Sequence, residues 1–105
     1  MNTGKMASQA GHGFLGAFIN AQTQTPAIAA SYAADLPGTK VCLQANLAQI
    51  ERAQFELNQA GIPNFLVVDS GCPNFFNGEP TVTALGFGPA TKQQVKAITK
   101  RMNIL

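Results

Sequence analysis

A strand–helix–strand pattern between residues 40 and 69 most restricts the folds open to this chain of 105 residues. Lys40–Ala45 carries β-branched and apolar residues after a Pro–Gly break, which is typical of a strand. The helical pattern over Leu47–Ala60 ends at Gly61, a residue favoured just beyond a helix. Asn64–Asp69 is a continuous apolar run, the pattern of a strand buried on both faces. The succession predicts a right-handed parallel crossover and therefore an α/β fold.

The remaining elements complete one small domain that spans residues 1–105. Two helices precede the unit, and a loop, a third strand and a closing helix follow it: Gly4–Asn20, Ala27–Ala34, Ser70–Pro80, Thr81–Phe87 and Lys92–Met102. We therefore expect a small mixed β-sheet of three strands with helices on both faces.

Composition excludes several classes of protein. Hydrophobic residues make up 46% of the chain and charged residues only 11%, with a net charge of +2. This composition is typical of a globular protein. The net charge is too small to indicate a nucleic-acid-binding protein, although it allows a local basic patch. Cys42 and Cys72 have no metal-ligand spacing, and His12 is the only histidine, so we expect no metal and no cofactor. We expect reduced thiols in a cytoplasmic protein, with no membrane span.

The N-terminal helix divides into two stripes at 3.6 residues per turn. The apolar stripe contains Ala7, Ala10, Phe14 and Phe18. Lys5, Gln9 and His12 stand at i, i+4 and i+7 and share a second stripe. This stripe is expected to face away from the core, so the histidine is placed beside a lysine and an amide.

Three glycines, Gly11, Gly13 and Gly16, interrupt the same helix. Each is less favourable than alanine in a helix interior by about 0.8–1 kcal/mol. So many glycines in two turns indicate that protein or ligand approaches the backbone closely at this point.

Three motifs in register resemble the type-II peptidyl-tRNA hydrolases. They are Gly4-Lys5-x-Ala7-x-Gln9-x-x-His12, Asp69-x-Gly71, and Thr83-x-Leu85-Gly86-x-Gly88-Pro89, and the resemblance covers essentially the whole chain. Two departures stand out. The family has a strand before the Gly-Lys motif, where this sequence has only Met1-Asn2-Thr3. It also commonly has Arg-Thr where this sequence has Cys72-Pro73.

The resemblance implies an enzyme that hydrolyses the ester between a peptide and the 3′ ribose of tRNA, without a cofactor. Asp69 would orient or activate water, Lys5 would contact phosphate or the carbonyl oxygen, and His12 would transfer a proton or bind RNA. Thr83 would hold Asp69 or a water. Each residue also has a purely structural interpretation. Asp69 could cap a turn, and Thr83 could reflect the ordinary preference of threonine for strands. Lys5 could be a solvated lysine and His12 a surface histidine.

A second set of residues is assigned to substrate binding, namely Gln9, Gly71, Lys92 and Lys96. The two lysines share one face of the closing helix and could meet tRNA phosphates, although a solvated helix face explains them equally well. A thiol centre built from Cys72, His12 and Asp69 is disfavoured, because no nucleophile motif surrounds the cysteine.

The alternative is a catalytically inactive member of the same fold that binds RNA or protein. Cys72-Pro73 and the short start favour this alternative, whereas the presence of Lys5, His12, Asp69 and Thr83 favours the enzyme. The expected partner is peptidyl-tRNA, with neither DNA nor a membrane. A sheet that lacks its usual first strand exposes an edge, so we also expect a homodimer.

Overall fold

The computed structural model describes residues 2–69 and 80–105. The described residues form four helices and two strands: α1 (Thr3–Gln24), α2 (Pro26–Ala33), α3 (Leu47–Gln59), β1 (Asn64–Asp69), β2 (Thr81–Phe87) and α4 (Lys92–Thr99). The predicted α/β class is confirmed. The predicted loop lies outside the described residues except for Pro80.

Side-chain caps define where three of the helices begin. The Asn2 side chain accepts a hydrogen bond of 2.8 Å from the Lys5 backbone N–H at the start of α1. Capping boxes open α3, between Asn46 and Gln49, and α4, between Thr91 and Gln94. Each cap satisfies backbone N–H groups that have no partner inside the helix.

The sheet formed by the described residues is two-stranded and antiparallel, in contrast to the predicted mixed sheet of three strands. β1 pairs with β2 from Asn64 opposite Phe87 to Asp69 opposite Thr81, with an irregularity in register after Val67. The parallel crossover is therefore not formed, since Lys40–Ala45 makes no ladder with β1.

The segment that was expected to be the first strand pairs with the C-terminus instead. Leu43 forms an isolated antiparallel bridge with Ile104. The Gln44 N–H donates to the Asn103 carbonyl at 2.8 Å, and the Leu105 N–H donates to the Cys42 carbonyl at 3.0 Å. Its strand-like composition is real, but its main-chain hydrogen bonds are made away from the sheet.

The buried face of α1 differs from the predicted apolar stripe. The buried residues are Gln9, Gly13, Ala17 and Ala21, which follow one another at intervals of four. Ala7 is exposed and Phe14 and Phe18 are only half-buried. The helix is rotated so that small residues face the strands, because small residues let the two backbones come closer together.

Two of the three helix glycines lie at a close contact, as the sequence predicted. A Cβ atom on Gly13 would lie 3.1 Å from the Gly86 nitrogen, and a Cβ atom on Gly86 would overlap the Gly13 carbonyl. A Cβ atom on Gly16 would overlap the ring of Phe65. Gly11 differs, since nothing lies within 4 Å of its position. The α1 backbone therefore rests directly on β2.

The other helices cover the rest of a small core. Ala29 of α2 is buried where α2 contacts α1, and Leu57 of α3 is fully buried. α3 contacts both strands and α4. In the described part of the chain, no helix has the length and apolar character needed to cross a membrane.

Replacement of Gly86 by alanine should destabilise the fold, since the added methyl group meets backbone and not a movable side chain. We expect a loss of about 1–3 kcal/mol in the free energy of unfolding, the usual result of overpacking. Gly11→Ala is the matched control. It should stabilise the protein by up to about 1 kcal/mol, because alanine is the better helix former and the site is open.

Urea unfolding followed by circular dichroism measures both changes. Equal stability of the wild type and Gly86→Ala would contradict the described contact between α1 and β2.

Candidate active site

α1 runs antiparallel along β1 and is fastened to it at both ends by polar side chains. Near the start of the helix, Lys5 and Gln9 meet Asp69, the last residue of the strand. Near its other end, the Asn20 amide donates to the Asn64 carbonyl at 2.8 Å. The glycine contacts lie between these two points, so the whole helix is held in one register against the strand.

Lys5, Gln9 and Asp69 form a polar cluster that is centred on one carboxylate oxygen. Lys5 Nζ lies 2.6 Å from Asp69 Oδ2, and Gln9 Nε2 donates to the same oxygen at 3.0 Å. The Asp69 side chain is only 8% exposed and that of Lys5 18%. A carboxylate removed from water to this extent needs a cation and hydrogen-bond donors, which these two residues supply.

Gln9 is the only buried polar or charged residue among those described, at 3% exposure. Its Nε2 must face Asp69, because a carboxylate accepts hydrogen bonds and the amide oxygen cannot donate one. The opposite atom, Oε1, is buried and has no hydrogen-bond partner in the described structure. A buried acceptor without a donor is unfavourable by about 1–3 kcal/mol. A side chain chosen only for core packing would avoid such an unpaired acceptor.

The polar cluster stands at one end of a surface groove of about 740 Å³ between α1 and β1. His12 lines the groove and is exposed, one α1 turn beyond Gln9. Lys5, Gln9, His12 and Asp69 therefore share one site. The second helical stripe defined from the sequence thus faces this groove, although its middle member is buried.

Three other predicted site residues lie elsewhere. Thr83 does not line the groove, and its hydroxyl donates to the Val67 carbonyl at 3.4 Å from the neighbouring strand. Lys92 and Lys96 are exposed on α4 and do not line it either. Gly71 lies outside the described residues, as does Cys72. The described structure thus gathers three of the four predicted catalytic residues, together with Gln9.

The sequence reasoning missed the apolar half of the groove. Its lining residues include Leu15, Ile19, Phe65 and Val68, all of which are exposed. The signal was present, because positions 15 and 19 continue the spacing of 5, 9 and 12 along one side of a helix. Phe65 and Val68 were assigned to a strand buried on both faces, which hid their exposure.

No group of three His, Cys, Asp or Glu residues that could hold a metal ion occurs within residues 2–69 and 80–105. The site that can be described consists of one carboxylate, one ammonium, one amide and one imidazole. That set can position a water, move a proton and stabilise a developing negative charge.

The partly buried pair of Lys5 and Asp69 should be strongly coupled in stability. We expect a coupling energy of about 1–3 kcal/mol between Lys5→Met and Asp69→Asn in a double-mutant cycle. Lys5→Met alone should be the more damaging change, since it leaves a shielded carboxylate without its cation.

The exposed pair of Arg52 and Glu56, 3.4 Å apart on α3, serves as the control. Its coupling should stay below about 0.5 kcal/mol, as is usual for exposed helix pairs. Unfolding in urea measures both cycles, and equal coupling in the two pairs would contradict a shielded site at Asp69.

Comparison with known proteins gives matches over the full length of the chain. A family model described as peptidyl-tRNA hydrolase PTH2 matches residues 1–105. A peptidyl-tRNA hydrolase of Methanococcus vannielii is 33% identical, with all of this chain and 89% of the relative covered. One of Methanothermobacter thermautotrophicus is 34% identical with the same coverage. A probable peptidyl-tRNA hydrolase 2 of Dictyostelium discoideum is 30% identical over 99% of this chain and 49% of its own length.

Proposed function

The chain belongs to the peptidyl-tRNA hydrolase PTH2 family, as the three motifs predicted, and we propose that it cleaves the ester between a peptide and the 3′ ribose of tRNA. The substrate is peptidyl-tRNA or a tRNA that carries an N-blocked amino acid. The enzyme works in the cytoplasm and requires neither a metal nor an organic cofactor.

The observation that carries this proposal is the meeting of Lys5 and Gln9 at one oxygen of Asp69, at the end of an open groove. A structural role alone does not account for the buried Gln9 Oε1, which has no described partner. Lysine and glutamine at these positions hold a carboxylate in a fixed orientation where a substrate can reach it.

The reaction needs few groups. A water held by Asp69, which Gln9 orients through its Nε2, attacks the ester carbonyl carbon, and the proton of that water passes to the carboxylate. The Lys5 ammonium stabilises the negative charge that develops on the carbonyl oxygen. The bond between the carbonyl carbon and the ribose oxygen then breaks, and that oxygen takes up a proton from His12, which is exposed in the groove. The cycle closes when Asp69 releases the proton that it accepted and His12 regains one. The products are a free peptide acid and a tRNA with its 3′ terminal hydroxyl restored.

Thr83 has a positioning role in this scheme. Its hydroxyl bonds to the Val67 carbonyl, two residues before Asp69 on the same strand. That bond lies close to the irregularity in register between β1 and β2. By steadying the strand there, Thr83 fixes the direction in which Asp69 leaves the sheet.

The tRNA itself is bound at surfaces outside the groove. Lys92 and Lys96 are exposed and one helical turn apart on α4, so both can meet successive phosphates. Gly71 is assigned to the same task of substrate binding by the family motif. These contacts would add affinity that is independent of tRNA sequence and sensitive to salt.

The inactive alternative has less support than the enzyme. One of its two grounds, Cys72-Pro73 in place of Arg-Thr, lies outside the described residues. The other was the short segment before the Gly-Lys motif. An inactive binding module has no need for a carboxylate shielded from water beside a lysine and a buried amide. The polar cluster is thus better explained by catalysis.

Asp69→Asn should lower kcat by about 10²–10³-fold, because the amide cannot accept the proton of the attacking water. The assay is release of N-acetylated amino acid from tRNA. Cys72→Ser is the control and should keep wild-type activity, since the proposed reaction does not use a thiol.

Circular dichroism should show that both variants fold. A folded Asp69→Asn protein with undiminished hydrolysis would refute the role of this carboxylate, and loss of activity in Cys72→Ser would favour a thiol mechanism.

A homodimer is also proposed. Large apolar side chains are exposed at several places on the surface, among them Leu36, Phe55 and Ile104. With so few charged residues in the chain, burial of some of this surface between two copies is favourable. Sedimentation equilibrium at micromolar concentration should give about twice the chain mass of 11.0 kDa, and a single species at the chain mass would refute the dimer.

A further inference from the structure

We propose that the groove between α1 and β1 binds the peptide part of the substrate, which adds to β1 as an extended parallel strand. The inference rests on the proposed function, and it concerns a different half of the groove from the polar cluster. The ligand class is a peptide of variable sequence, recognised through its main chain.

The first support is the outer edge of β1, meaning the side of this strand remote from β2. Pro63 directs its carbonyl to the β2 side, where it accepts from the Gly88 N–H at 2.8 Å. Main-chain groups alternate in direction along a strand, so Asn64, Leu66 and Val68 direct theirs to the outer edge. The Asn64 carbonyl is bonded by Asn20. At this edge, the described residues include no strand that pairs with Leu66 and Val68.

The second support is the apolar wall that overlooks this edge. On α1, Leu15 is 61% exposed and Ile19 is 53% exposed. Phe65, whose ring lies against Gly16, is 40% exposed on the strand below them. Apolar side chains gathered around unpaired strand groups are the features of β-strand addition, in which the main chain gives affinity and alternate side chains give preference.

The third support is continuity with the reacting groups. The apolar half and the polar cluster line the same groove. β1 ends at Asp69, so the ester carbonyl at the C-terminus of the peptide must lie at that end of the strand. The peptide therefore runs parallel to β1, with its N-terminus towards Asn64. At about 3.3 Å per residue, the edge between Asn20 and Asp69 accommodates about four residues.

This mode of binding matches the chemistry of the substrate. Peptides on tRNA share a backbone but no side-chain pattern, so an enzyme that accepts many of them must recognise the main chain. The exposed wall adds a preference for apolar side chains at alternate positions. The edge of β1 also disfavours peptides that lack an N–H group where Leu66 or Val68 offers a carbonyl.

The test measures binding separately from catalysis. The probes are peptidyl-adenosines in which an amide replaces the ester, with peptides of one to six leucine and serine residues. The dissociation constant should fall by about tenfold or more between one and four residues, the effect of two or three main-chain hydrogen bonds, and then level off. N-methylation of the peptide bonds of the tetrapeptide probe, one at a time, should cancel most of that gain at one bond.

Variants of the wall complete the experiment. The double change Leu15→Ser with Ile19→Ser should weaken the tetrapeptide probe several-fold and leave the single-residue probe unchanged. Leu47→Ser is the matched control, since Leu47 is 53% exposed on α3 and does not line the groove. It should alter neither affinity.

The possible outcomes separate the two proposals. Hydrolysis of N-acetylaminoacyl-tRNA without any dependence of affinity on peptide length would overturn the peptide site and leave the proposed function intact. Length-dependent binding without hydrolysis would support the peptide site and refute the proposed activity. If the wall variant instead converts a dimer to a monomer while peptide affinity is unaffected, the edge belongs to a second copy of the chain and the peptide site is refuted.

Discussion

The contact between the backbones of Gly13 and Gly86 is the constraint on which the rest of the described structure depends. A side chain on Gly86 would overlap the Gly13 backbone, and one on Gly13 would be unusually close to Gly86, so α1 lies directly on the strands. With the helix this close, Lys5 and Gln9 can reach Asp69, and Asn20 can reach the main chain at the other end of β1. A larger separation would leave the carboxylate buried without its cation, an unfavourable state.

The polar cluster illustrates how stability and activity compete in one place. A core built only for stability would not bury an amide whose oxygen has no described partner. It would also put an apolar residue where Gln9 stands, level with Gly13 and Ala17 on the buried face of α1. The cost of this arrangement is offset by apolar burial further along the same helix, and natural sites commonly combine the two in this way.

The helices and most of the polar cluster could be predicted from the sequence, because the sequence patterns that indicate them are local. Caps and glycines located the helices to within a few residues, and the spacing of Lys5, Gln9 and His12 placed them on one side of α1. Strand pairing was harder to predict, since local composition indicates a strand but does not indicate which strand it pairs with. Residues 40–45 look like a strand and pair with the C-terminus, and Phe65 lies in an apolar run yet is exposed. The burial of Gln9 also escaped prediction, because it follows from the rotation of α1 that the glycines permit.

A contact between two main chains has an unusual relation to the sequence that encodes it. It requires the absence of side chains at two positions and does not restrict the identity of the neighbouring residues. The distance between helix and sheet can therefore stay fixed while the surrounding residues drift, whereas interlocked side chains must change in concert. Under this arrangement, the geometry at Asp69 depends on a spacing that most substitutions elsewhere in the chain have no means of altering.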